Sequence, residues 1–216
     1  MAVNAANLFA VECDSTVHFG KYSSGTPATL PTDLSAYVAP PGTVTDTFTA
    51  GGGWVDAGAL TDAPDFSQEF EILEKKVWNS CTTQYVCRQS TDRSVTVSIE
   101  ELSRTSVEMM FGAGVWTTTT NGVRFVPTGG HKEYRLGLHF VDRNNRRFCA
   151  IFPRVGITEV SGPNADENCE TMKAEITFKA LEDSATVLNG VSPDMFILSD
   201  FPNLSLIHIS EPTRPY

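Results

Sequence analysis

The amino-acid sequence predicts a mainly β protein: a β-sandwich or half-barrel with one short flanking α-helix and a long extended arm or loop. About nine or ten segments alternate apolar and polar side chains, which is the period of a half-buried strand. A single segment has helical spacing, and turn residues separate the candidate strands as in a sandwich or barrel. The chain has 216 residues, which suits one sizeable domain, predicted over residues 1–203.

The first quarter of the chain predicts two short strands separated by a long excursion. Residues 11–19 are weakly strand-like, and WVDAGALTDAP at 54–64 is a short strand that ends in a proline turn. Residues 22–53 are rich in Thr, Pro, Gly and Ser, and prolines remove donors from a strand ladder. An excursion of this length is uncommon in a compact domain unless a partner orders it, so we predict an arm, with a surface loop as the alternative.

Residues 66–72 are ambiguous between strand and helix. Phe66, Gln68, Phe70 and Ile72 alternate as in a strand, although the phenylalanines also fit a helical stripe with Leu73. The preceding proline turn favours the strand. Residues 82–89 and 95–101 then predict a strand pair, joined by a polar turn at 90–94.

The helix is predicted within VTVSIEELSRTSVEMMFG at 95–112, because this run changes period. Alternation ends near residue 102, and Val107, Met110 and Phe111 then recur at helical spacing. Thr105 and Glu108 fit a capping box, and Gly112 is a natural C-terminal stop. A helix this short needs packing against a sheet to be stable.

The second half of the chain predicts strands throughout. Asn121-Gly122 indicates a tight turn between two short strands. Further alternating segments predict a hairpin and three more strands, at 134–141 with 148–152, at 155–160, at 172–180 and at 195–198, with an acidic turn at 161–170.

Composition bounds the function. The formal net charge of −10 argues against ordinary nucleic-acid binding, which needs Lys and Arg to displace counterions. It suits a surface past which DNA slides, although an acidic balance also simply maintains solubility. No apolar run approaches a membrane span and the start lacks a secretion signal, so we expect synthesis in the cytoplasm and no membrane partner.

No catalytic, cofactor or metal site is predicted. His18, His131 and His139 lack metal-ligand spacing and are interpreted as surface histidines, and the five cysteines as free thiols. Nucleotide and hydrolase motifs are absent, and the adjacent Glu100 and Glu101 point to opposite faces of a strand. The charged cluster at 142–147 is interpreted as a solvated hairpin tip. We therefore expect no enzyme activity and no cofactor.

The order of GTPATLPTDL, WVDAGALTDAPDFSQEFEI, VTVSIEELSRTSVEMMFG, EYRLGLHFVD and AEITFKALED over residues 20–185 resembles the major tail tube proteins of long-tailed, non-contractile phages, especially those of actinobacterial hosts. The resemblance implies a virion protein with a β-sandwich or half-barrel and one flanking helix. It implies hexameric rings that stack into a tube through which genomic DNA is ejected, with an arm reaching the next ring; we assign that arm to residues 22–53.

The implied partners are further copies of the chain, together with tail tip, tape measure and tail terminator proteins, while DNA passes the lumen without sequence-specific binding. Glu100 and Glu175, outward on their strands, are the candidate lumen-facing acids. Two other classes compete: a sandwich-type binding module, Ig-like or carbohydrate-binding, on a tail or capsid, and a sandwich-type enzyme. The scattered tryptophans (Trp54, Trp78, Trp116) and the lack of paired carboxylates disfavour them.

The last residues, LSLIHISEPTRPY at 204–216, resemble up to Arg214 the in-frame translation of a transposon-type sequencing-library adapter. We expect this segment to be non-native, and we exclude it from fold reasoning as one would a cloning scar.

Overall fold

The computed structural model describes residues 15–28, 54–76, 83–101, 103–130, 132–142, 146–164 and 173–199. Of the predicted excursion at 22–53, only residues 22–28 fall within these ranges. His131 and the adapter-like segment 204–216 lie outside them.

The described part of the chain contains ten strands and one helix, which confirms the mainly β prediction. Their bounds are β1 Thr16–Lys21, β2 Trp54–Asp56, β3 Asp65–Lys76, β4 Thr83–Ile99, α1 Arg104–Phe111, β5 Gly114–Thr119, β6 Gly122–Pro127, β7 Tyr134–Val141, β8 Arg147–Asn164, β9 Lys173–Ala180 and β10 Phe196–Ser199. Phe66 and its neighbours therefore form a strand, as predicted.

Eight of the strands form one antiparallel sheet in the order β2-β1-β7-β8-β9-β4-β3, with β10 also paired to β8. The sheet curls, because the chain leaving β2 forms a bridge between Leu60 and Ile99 at the end of β4. The rings of Phe19 on β1 and Phe178 on β9 lie 5.4 Å apart across the interior. The half-barrel encloses a core to which α1 contributes Met109 and Met110. Strands β5 and β6 form a separate hairpin.

Two predicted strand breaks are wrong. β4 runs unbroken through 90–94, because β3 is long enough to pair along the whole segment, with a bulge at Glu71/Ile72 absorbing the irregularity. β8 likewise continues through Pro153 into the predicted acidic turn at 161–170. Tyr134 pairs with Val155 and Leu136 with Phe152, so Pro153 lies in a bulge, where a residue without an N–H is tolerated.

The predicted start of the helix is also wrong. Ser103 is the N-cap: its Oγ accepts from the Ser106 N–H at 3.1 Å, and the Ser106 Oγ accepts from the Ser103 N–H at 2.7 Å. Thr105 is instead buried within the first turn, and Phe111 is exposed. The predicted end is confirmed, since Gly112 has a φ of 83° that favours glycine.

Candidate functional site

Where side chains are described, one face of four adjoining strands carries polar side chains at its outward positions, except at Gly156, and none of these residues is buried. The strands are β3, β4, β9 and the second half of β8, and the pairing register aligns their outward positions across the sheet. We call this surface the polar face; its residues are Asp65, Ser67, Glu69, Glu71, Ser90, Asp92, Ser94, Thr96, Ser98, Glu159, Ser161, Asn164, Lys173, Glu175, Thr177 and Lys179.

Cross-strand contacts tie the polar face together. The hydroxyls of Thr96 and Thr177 lie 3.0 Å apart, and the Lys179 ammonium contacts the Asp92 carboxylate at 2.8 Å. The Ser90 hydroxyl donates to Glu71 at 3.1 Å. Such exposed pairs contribute little to the free energy of unfolding. The polar face is therefore distinguished by its hydroxyl and carboxylate groups and not by a contribution to stability.

The polar face is strongly acidic. Among the described side chains it carries six carboxylates (Asp65, Glu69, Glu71, Asp92, Glu159 and Glu175) and two ammonium groups, those of Lys173 and Lys179. The alternate positions of the same strands point into the core, where Val95, Val97, Ile176 and Phe178 are buried. The arrangement presents a hydrated, anionic wall to solvent, and such a wall does not attract phosphate.

Both edges of this four-stranded sector are open within the described residues. β3 pairs with β4 on one side and with no described strand on the other. The ladder between β7 and β8 ends at Tyr134 and Val155, so β8 beyond Val155 pairs with β9 alone. An open strand edge presents unpaired N–H and C=O groups that can pair with another chain.

A family model described as phage tail tube protein matches residues 27–194. The chain belongs to the phage tail tube protein family. The matched residues include all four strands of the polar face. No curated protein matches the chain. Membership of this family indicates a structural component of the virion tail that assembles into a tube with other tail proteins, and a non-enzymatic role.

The structure places the two candidate acids of this tail tube protein differently. Glu175 is exposed on β9 in the polar face, opposite Ser98 on β4. Glu100 follows the last residue of β4 and is half-buried, and its N–H donates to the Ala59 carbonyl at 2.9 Å. Glu100 therefore lies at the rim of the polar face rather than within it.

Sequence reasoning missed most of the polar face. Asp65, Ser67, Glu69 and Glu71 alternate with Phe66, Gln68 and Phe70 along β3. That alternation was present in the sequence, and it already separated an acidic face from an apolar one. The sequence does not give the pairing register that aligns β3 with β4, β9 and β8, and this register is needed to join their outward positions into one surface.

The interpretation of His18 as a surface histidine is wrong. His18 is buried on β1, and its Nε2 lies 3.9 Å from the nearest carboxylate oxygen of Asp56. Burial lowers the pKa of His18, opposed by Asp56 and reinforced by His139. Burial also lowers the pKa of His139, which is half-buried, with Arg147 adding to the effect.

The charged tip at 142–147 is not fully solvated either. Asp142 is buried, and its carboxylate accepts from the Arg146 Nε at 2.8 Å. Cys149 is a buried thiol outside any disulfide, as predicted; the side chains of the other four cysteines lie outside those described. Among the described residues, no group of three or more His, Cys, Asp or Glu side chains could hold a metal ion.

The tryptophans do not offer an open platform for sugars in the described part of the chain. Trp54 is buried, and the Trp116 ring packs on Phe125 while its Nε1 donates to Glu108 at 2.7 Å. Trp78 lies outside the described residues. No helix among the described residues is long and apolar enough to cross a membrane.

Proposed function

We propose that this tail tube protein assembles into hexameric rings, and that the rings stack into the tail tube of a long-tailed, non-contractile phage, through which the genome is ejected. The observation that carries the proposal is the polar face bounded by two open strand edges. A surface of this kind suits the inner wall of a conduit, and its edges suit closure with further copies.

Ring closure follows from the two edges. The open edge of β3 in one copy pairs with the open edge of β8 beyond Val155 in the next copy. This contact joins two different surfaces, and repeating it generates a closed ring when the rotation between neighbouring copies closes after six. Closure pairs the exposed backbone groups that would otherwise promote uncontrolled association.

The polar face then lines the lumen. Glu175 and the other carboxylates point inward, and Glu100 lies at the rim. Phosphates passing this wall meet fixed negative charge and hydroxyl groups rather than Lys and Arg clusters, so DNA moves without being bound. The lumen in this proposal makes no base-specific contact.

Residues 22–53 are assigned to the contact between rings. The start of this segment is fastened to the body: the Tyr22 hydroxyl donates to Asp183 at 3.2 Å, and the Ala28 N–H donates to the Thr186 Oγ1 at 2.7 Å. The chain re-enters the body at the buried Trp54. A segment anchored at both ends is suited to reach a neighbouring ring from a defined position.

The remaining partners follow from a place in the virion tail. The proposed tube ends on tail tip and tail terminator proteins, encloses a tape measure protein during assembly, and is built in the host cytoplasm.

Negative-stain electron microscopy of the purified full chain, concentrated at moderate salt, tests the proposal. We expect rings or hollow tubes with six subunits in end view. A variant in which residues 29–53 are replaced by a short Gly/Ser linker should form rings that do not stack. Particles that remain monomeric, with or without a tail tip fraction as initiator, would contradict the proposal.

A further inference from the structure

The β5-β6 hairpin is fastened to the body on one side only. Trp116 and Phe125 face each other across the hairpin with ring centroids 4.5 Å apart. Trp116 also donates to Glu108, and the Arg104 guanidinium lies 5.4 Å from its ring centroid. An isolated two-stranded hairpin is marginally stable, so these contacts with α1 hold it in place.

The opposite side of the hairpin is apolar and exposed. Val115 and Val126 are direct cross-strand partners and are 56% and 48% exposed. The neighbouring pair on that side is Thr117 and Arg124. Arg124 is the only charged residue in 114–127, and it makes no ion pair with a described residue. We call Val115, Thr117, Arg124 and Val126 the hairpin face.

The hairpin leaves the body beside one of the open edges. The Ala113 N–H donates to the Gly130 carbonyl at 3.1 Å, and the chain continues from there into β7. The first residue of β7, Tyr134, pairs with Val155, where the open edge of β8 begins. Because α1 packs its methionines into the core, the hairpin attached to it lies on the side away from the polar face.

The other open edge carries a complementary surface. Phe66 and Phe70 on β3 are 44% and 42% exposed, and both point away from the polar face. Asp65 and Glu69 lie on the same strand but point to the polar face, on the opposite side from both rings. One open edge therefore adjoins the exposed valines of the hairpin face, and the other adjoins two exposed aromatic rings.

We infer that the hairpin face of one copy packs on Phe66 and Phe70 of the next copy when the β8 and β3 edges pair. This inference rests on the proposed ring. It assigns the occupant of both exposed surfaces, a second copy of this chain, and it makes the β5-β6 hairpin a clasp on the outside of each subunit junction.

Paired substitutions test the clasp. V115D/V126D places two carboxylates on the hairpin face, and T118D/V123D places two on the opposite side of the same hairpin, at another cross-strand pair. We expect V115D/V126D to raise the protein concentration needed for ring formation at least tenfold, and T118D/V123D to leave it near the wild-type value. Circular dichroism should show both variants folded.

Cross-linking gives a second measurement that does not depend on loss of assembly. Val126→Cys protein is mixed with Phe66→Cys or Phe70→Cys protein and treated with a short bismaleimide. We expect covalent dimers above the background set by the native cysteines. The matched control mixes Val126→Cys with Glu175→Cys, whose thiol lies on the polar face, and should give only that background.

The outcomes separate the clasp from the ring. Rings formed by V115D/V126D at the wild-type concentration, or equal cross-linking of Phe70→Cys and Glu175→Cys, would overturn the clasp and leave the ring standing. Failure of the wild-type chain to form rings would overturn the proposed function, and the clasp with it.

Discussion

Two sectors of one sheet treat their outer faces in opposite ways. In β3, β4, β9 and the second half of β8, the outer face is polar and open to solvent. In β1, β2, β7 and the first half of β8, both faces are covered, and five consecutive residues of β7 from Tyr134 to Leu138 are buried. Alternation along a strand therefore does not by itself decide whether the outer face is exposed to water. That depends on whether side chains from another part of the chain pack over it.

Trp54 supplies much of that cover. Its indole lies over β1 and β7 at two glycines: a Cβ added to Gly20 would lie 3.4 Å from the Trp54 Cε3, and one added to Gly137 would lie 3.3 Å from its Cζ3. Glycine at both positions leaves room for the flat ring. Cys149, Ile151 and Leu198 pack with Trp54 to form a small second core.

The largest expected effect is that of removing the cover. Trp54→Ala should lower the free energy of unfolding by about 3–5 kcal/mol, because it empties a fully buried aromatic site. Trp116→Ala, at a half-buried ring, should cost clearly less. Urea unfolding followed by circular dichroism measures both. A Trp54→Ala loss below about 1 kcal/mol would mean that the covered sector does not depend on this ring.

The element types were predictable from the sequence because they depend on local period. The β7-β8 hairpin, β9, the Asn121-Gly122 turn and the stop at Gly112 follow from residues close together in the chain. The continuity of β4 was not predictable, because it depends on the length of β3. The burial of His18 and Arg135 depends on segments distant in sequence: Asp56 and the backbone of Thr26, whose carbonyl accepts from the Arg135 Nη2 at 2.6 Å.

Part of the candidate site was also predictable from local sequence, and part depended on strand pairing. Glu175 was predictable as an outward acid, since β9 alternates cleanly. The polar face as a unit required the pairing of four strands whose members are up to about a hundred residues apart. The open edges also required knowing where the β7-β8 ladder ends.

A second prediction concerns the buried carboxylate of Asp183, which holds residues 22–28 against the part of the sheet whose two faces are both covered. Asp183 accepts from the hydroxyls of Tyr22 and Thr186, at 3.2 and 2.6 Å. Asp183→Ala leaves these donors without their acceptor and should cost about 2 kcal/mol of unfolding free energy. Glu182→Ala, at the exposed neighbouring position, should change it by less than about 0.5 kcal/mol. Equal effects would show that Asp183 is not an anchor.

The covered sector should also make stability depend on pH. Burial lowers the pKa of His18 in the folded chain, so the unfolded chain binds protons more readily. The contribution of neutral His18 to the free energy of unfolding should be fully present above the ordinary histidine pKa of about 6.5. It should be lost as the pH falls from there through the lowered pKa of the folded chain. Urea unfolding at pH 7 and at pH 5 measures this loss, and the free energy of unfolding should be the lower of the two at pH 5.

The double variant His18→Gln with His139→Gln should flatten that dependence, because it removes the two histidines whose pKa burial lowers. A pH profile as steep as that of the wild type would assign the dependence to other groups.

The smallest expected effect lies on the polar face. Glu159→Gln with Glu175→Gln should change the unfolding free energy by less than about 0.5 kcal/mol, because both side chains are exposed and contribute little to packing. Ring formation should also be unchanged, since neither side chain points to the apolar side of an edge. A loss above about 1 kcal/mol would show that this sector is covered after all.

The most direct test locates the polar face in the assembled tube. Glu175→Cys protein is labelled with a maleimide gold cluster, assembled, and imaged by electron microscopy beside wild-type protein labelled in the same way, which reports the native cysteines. We expect additional density along the tube axis. Additional density on the outer wall would place the acidic face outside and would contradict a lumen lined by the polar face.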